Sequence, residues 1–178
     1  LYPILMQWLS NEKKCDYVDE NRNLWGKQPD VIGIRLVGDE GLAKLYLYLV
    51  EAKVANNLNS VYELIGEIEV KIALCMNKTS IFYALYPYIA VFKGISFNDI
   101  RLYCKNRNVG LIKMTDGKGI YLSIVRNPKP IILGKTVSIE EIKDTTKIRN
   151  TEERKILDKM IEIIGWWKLK ELTSIKRY

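Results

Sequence analysis

The segment from Leu45 to Val54, LYLYLVEAKV, constrains the fold more than any other. In a strand, residues two apart share a face. Leu45, Leu47 and Leu49 therefore point one way, and Tyr46, Tyr48 and Val50 the other. Both faces are apolar up to Val50, so this strand belongs in the middle of a sheet covered on both sides. Val31 to Leu36 precedes it as a second apolar strand, and VGDEG between them supplies the turn residues of a hairpin.

The rest of the chain reads as cover and continuation of that sheet. Leu1, Ile4, Leu5, Trp8 and Leu9 mark one stripe of an amphipathic helix, and Glu12 extends it at helical spacing. Residues 15–27 are polar and read as a loop or a short edge strand. Ser60 followed by Glu63 has the pattern of a capping box. Behind it Val61, Leu64, Ile65, Ile68, Ile72 and Cys75 predict a helix to about Asn77. YIAVF at 88–92 predicts a short buried strand, and Phe97 to Asn106 a helix with Ser96 as its candidate cap. VGLIKM and IYLSIVR flank TDGKG, the pattern of a hairpin. A last helix starts near Asn150 and Thr151 and stops at Gly165, with Trp166, Trp167 and a basic tail beyond. The order predicts a mixed α/β chain with one layered sheet.

The totals narrow the chemistry. A chain of 178 residues with 48% hydrophobic content fits one domain with a real core. It contains no histidine, which removes Ser-His-Asp and Cys-His catalysis, His-based zinc sites and His acid/base chemistry. Cys15, Cys75 and Cys104 are odd in number and far apart, which argues for buried free thiols and a reducing, cytoplasmic compartment. No signal peptide or membrane-spanning run is legible. The net charge of +7 suits a polyanionic partner, nucleic acid before a membrane surface, and equally suits a solvated surface. Abundant Ile, Lys and Glu with few Gln lean toward a thermophile, and such a chain suits an archaeal virus or plasmid.

Charges at the ends of buried strands are costly unless paired or bound to a metal. Glu51 and Lys53 share a face of the central strand, and Asp30 begins the strand before it. Hairpin pairing brings Asp30 near Glu51, so two carboxylates and an ammonium gather at one strand end. With the backbone carbonyl of Ala52 they suit a hard divalent cation such as Mg²⁺, with Mn²⁺ able to substitute. The alternative reading of these residues is a surface Asp and a Glu–Lys ion pair.

Pro29-Asp30 and Glu51-Ala52-Lys53 in a strand–turn–strand context resemble the PD-(D/E)XK nuclease superfamily. The resemblance covers roughly half the chain, through about Phe92, where the family core runs helix, three strands, helix, strand. It implies a restriction-endonuclease-like three-layer α/β fold, a central mixed β-sheet flanked by helices. It implies metal ligation by Asp30, Glu51 and the Ala52 carbonyl, with Asp30, Glu51 and Lys53 as the catalytic set. Some members, archaeal Holliday-junction resolvases among them, carry a Glu on the first helix, where Glu12 fits. Many carry Gly-Gln after the E-x-K strand, where this chain has Gly66-Glu67. For Glu12 a solvated helix-end acid stands beside the metal reading, and for Glu67 an ordinary i,i+4 pair with Lys71 does.

The expected activity is Mg²⁺-dependent hydrolysis of DNA phosphodiesters, by a homodimer where both strands are cut. The alternative is a catalytically silent nucleic-acid-binding or assembly protein of the same fold, and an RNA substrate stays open. No membrane partner and no small-molecule cofactor is expected. Lys27 and Arg35 are candidate phosphate contacts. Trp166 and Trp167 read either as base-stacking or as core residues. Residues 1–130 are expected to form the nuclease-like core, and 131–178 a C-terminal helical extension packed on the same domain.

Overall fold

The computed structural model describes residues 1–55, 57–92, 97–116 and 118–174. The first elements are α1 (Tyr2–Asn11), β1 (Tyr17–Glu20), β2 (Val31–Asp39), β3 (Leu42–Val54), α2 (Leu58–Lys78) and β4 (Phe82–Phe92). Then come α3 (Phe97–Asn106), β5 (Gly110–Asp116), β6 (Ile120–Arg126), β7 (Ile131–Ile132) and β8 (Val137–Ser138). The chain continues through α4 (Ile139–Lys143), a 3₁₀ turn (Thr145–Lys147), α5 (Thr151–Ile164) and α6 (Trp166–Ser174).

The strands form one mixed, open sheet of eight, with β1 to β6 side by side in chain order. Pairing is antiparallel through β1, β2 and β3, parallel from β3 to β4 to β5, and antiparallel between β5 and β6. Helices cover both faces, as the two-sided apolar pattern of β3 requires. On one face α1 seats Leu5, Trp8 and Leu9 against Val31, Tyr48, Val50, Tyr88 and Ala90. On the other, Leu45, Leu47 and Leu49 meet Val61, Leu64, Ile65 and Ile68 of α2, with Ile156 and Leu157 of α5 and Leu169 of α6 in the same core. Gly33 lets α1 and the turn after it approach: a Cβ there would stand 2.8 Å from Cys15 Sγ.

The β2–β3 turn is the two residues Glu40 and Gly41, with φ of 48° and 84°. Positive φ at both positions is the twist that a two-residue hairpin favours. This turn fixes the register Asp39–Leu42 through Val31–Val50.

Several local expectations are corrected. α2 is capped by Asn57, whose side chain accepts from Ser60 N–H at 2.9 Å. Ser60 lies inside the helix, so it forms no capping box with Glu63. β4 starts at Phe82, well before residue 88, and carries Pro87 within it. Proline has no N–H to give a neighbour. On the side away from β3, β7 pairs with Ala84 and Leu85 while β5 starts at Tyr88, so Pro87 falls in the gap between them. The C-terminal part is not purely helical: β7 and β8 complete β4 and β3. Trp166 opens a further helix, α6, whose Thr173 carbonyl accepts from Gly41 N–H at 2.7 Å. The Ser96 cap and Gly117 of the β5–β6 turn lie outside the described residues.

Candidate active site

The proposed acids sit where β2 and β3 stop pairing. Extending the register one step past Val31–Val50 sets Asp30 opposite Glu51, and one more sets Pro29 opposite Ala52. Pro29 has no N–H, so it cannot continue the ladder to the Ala52 carbonyl. The Ala52 N–H is taken by the Asp30 side chain, donating to Oδ2 at 2.8 Å. The Tyr2 hydroxyl, from the first turn of α1, donates to Asp30 Oδ1 at 2.8 Å. Burial pushes the Tyr2 phenol up to about 12, and the neighbouring Asp30 carboxylate adds to the rise. Both Asp30 oxygens are thus oriented by protein donors, with lone pairs left over.

Glu51 is 2% exposed and faces α2, where its neighbour is Lys71, itself 8% exposed. The Lys71 ammonium lies against Glu51 Oε1 as an ion pair. Glu51 Oε1 is fully shielded from solvent. Burial pushes the Glu51 carboxyl up to about 7; Lys71 opposes that rise and Asp30 reinforces it.

Lys53 follows on the same face of β3, and its ammonium donates to Glu63 Oε2 of α2 at 3.2 Å. Lys53 pairs with Glu63 and not with Glu51, the partner that the ion-pair reading gave it, and Lys71 pairs with Glu51 and not with Glu67. Glu67 is exposed, one turn before Lys71, and with Lys27, Val70 and Lys71 lines a small cleft of about 120 Å³ beside the Glu51 pair. Glu12 is not brought to the acids. It caps the C-terminal end of α1, whereas Tyr2 at the other end is the residue that reaches Asp30. The rise along that helix is about 15 Å. Arg35 is exposed on β2 opposite Tyr46, well along the strand from Asp30. Trp166 packs against the core, and Trp167 is 77% exposed beneath Lys170.

Sequence reasoning missed Tyr2 and Lys71. Lys71 had a signal: it stands at helical spacing between Ile68 and Cys75, a cation in a buried stripe. Tyr2 had none, because which helix end meets Asp30 is set by tertiary packing.

Asp30, Glu51 and the Ala52 carbonyl are hard oxygen donors of the kind Mg²⁺ accepts, with water and phosphate oxygens completing the shell. The acidic set is only a pair: among the described residues no three or more Asp, Glu, His or Cys groups gather as a metal cluster. The buried thiols belong to the core, and burial pushes Cys15 up to about 12 and Cys104 to about 11. No helix among the described residues is long and apolar enough to cross a membrane. No protein-family model matches this chain, and no curated protein or solved structure matches it either.

Proposed function

We propose that this chain is a metal-dependent DNA endonuclease of the PD-(D/E)XK kind, acting as a symmetric dimer in a reducing cytoplasm. The observation that carries the reading is the Asp30–Ala52 hydrogen bond beside Glu51, at the point where Pro29 ends the β2–β3 ladder. It puts two carboxylates and a strand-edge carbonyl together. Support also comes from the element order α1, β1–β3, α2, β4, with β4 parallel to β3.

In this reading Asp30, Glu51 and the Ala52 carbonyl hold Mg²⁺ or Mn²⁺. When bound, the ion polarises the phosphodiester and lowers the pKa of a bound water. Tyr2 orients Asp30 and shields it from α1's side. Lys71 supplies the counter-charge that keeps buried Glu51 ionisable near neutrality. Lys53 orients the attacking water and offsets charge on the phosphate, for which it must leave Glu63. That release is easy: Glu63 is 68% exposed, and an exposed pair is worth about 0–1 kcal/mol.

A second reading, a nucleic-acid-binding protein without catalysis, has its own observation. Glu51 already holds Lys71 and Lys53 already holds Glu63, so each charge is paired without a metal. One set of preparations separates the two. Linear, flap, junction and supercoiled DNAs are incubated with and without Mg²⁺ or Mn²⁺, and Mn²⁺ binding is measured by calorimetry. Asp30→Asn and Glu51→Gln are expected to lose both metal binding and cleavage. Lys53→Ala is expected to keep metal binding and lose cleavage by about 10²–10³-fold. A parent protein that binds DNA but cuts none of the panel establishes the second reading.

A further inference from the structure

At the far end of α2 from the acids, Lys78, Thr79, Ser80, Lys135, Arg149 and Asn150 line an open concavity of about 510 Å³. Three of the six are exposed cations, and they come from sequence-distant segments. Among the described residues none of the three forms an ion pair, and no carboxylate stands on the wall. Other concavities differ in this respect. Those containing Arg107, Lys71 and Lys155 also carry Glu69, Glu67 and Glu152 respectively.

The backbone beneath these cations is fixed. Glu153, fully buried in the first turn of α5, accepts from Thr79 Oγ1 at 2.7 Å and from Ser80 N–H and Oγ at 2.8 Å each. Trp25 Nε1 donates to it as well, at 3.1 Å. This binds the end of α2 to the start of α5. Leu133 and Gly134 N–H both donate to the Tyr83 carbonyl and Lys135 N–H to the Phe82 carbonyl, which anchors the third segment. Glu153's charge lies under the concavity, already shared among four donors. What faces solvent is three like charges on a rigid frame. Such an arrangement is unfavourable alone and favourable around an anion.

We propose that Lys78, Lys135 and Arg149 form a phosphate-binding site that grips a nucleic-acid backbone, separate from the Asp30–Glu51 centre. The rise of α2 between Glu63 and Lys78 is about 22 Å, so one phosphate cannot serve both places. The site acts on binding alone and does not require the nuclease reading. Phosphate of a backbone and free phosphate share this chemistry, so both are tested.

The test compares the parent, the triple variant Lys78→Gln/Lys135→Gln/Arg149→Gln, and a charge-matched control, Arg101→Gln/Lys105→Gln/Lys129→Gln, at exposed positions elsewhere. Anisotropy of labelled duplex DNA is followed in EDTA over a series of NaCl concentrations. Each phosphate contact contributes a slope of about 0.9 in log K against log salt. The site variant is expected to lose at least about 10-fold in affinity relative to the control, with the slope smaller by about 2–3. Inorganic phosphate and pyrophosphate are expected to raise the melting temperature of the parent and control but not of the site variant. Equal DNA affinity and slope in the two variants, with no phosphate effect on the parent, overturns the site. A phosphate effect confined to parent and control, with DNA binding equal in both variants, overturns the nucleic-acid assignment and leaves free phosphate as the ligand. If the triple variant melts early, the three single variants are read instead, each expected to reduce the slope by about 0.9.

Discussion

Glu51 is placed where its charge is disfavoured, and that has a measurable sign. Burial raises its carboxyl from the ordinary 4.5 to about 7. A carboxyl raised on folding contributes stability that is fully present below its unfolded value and is lost as pH rises through its folded value. This group therefore lowers the melting temperature between about pH 4.5 and about pH 7. Glu51→Gln does not titrate and should flatten that window. Melting curves at intervals from acid to neutral pH, in metal-free buffer, make the comparison; parallel profiles for parent and variant would place the slope on other groups. At this scale the closeness of Asp30 and Glu51 was legible, because a hairpin turn fixes register and register fixes cross-strand partners. The partners of Lys53 and Lys71 were not. A long side chain near a strand end chooses among acids that only the helix packed above it brings within reach.

Among the elements, α2 begins earlier than its own sequence pattern suggests. Ser60 and Glu63 have the right identities for a box, but Asn57 takes the Ser60 N–H first. Glu63 is then free to meet Lys53. Asn57→Ala should cost about 0.5–2 kcal/mol, and Ser60→Ala only a few tenths. Urea unfolding of both variants checks this, and the reverse ranking would restore Ser60 as the cap. The long elements were legible because each repeats its apolar spacing several times, as β3 and α2 do. β7 and β8 were not, since two residues cannot show a period, and their pairing comes from gaps left by β5 beside β4 and by β4 beside β3. α6 was hidden by Gly165, whose φ of 87° does end α5 but permits a new helix directly after it.

For the whole molecule, the residues after Pro130 share one sheet and one core with those before it. Residues beyond it supply two strands of the sheet, the Glu153 contacts to Trp25, Thr79 and Ser80, and the burial of Leu169 and Thr173. A chain ending at Pro130 should therefore lose cooperative unfolding and expose apolar surface. A broad, shallow thermal transition with strong dye binding is the expected result; a sharp transition near that of the full chain would establish an autonomous core. The same interleaving sets a timetable for synthesis. Ala43 waits for Val137 and Leu85 waits for Ile131, so the N-terminal ends of β3 and β4 leave the ribosome as open edges. They stay open until residues 131–137 have been made, which is the interval in which neighbouring nascent chains compete for them.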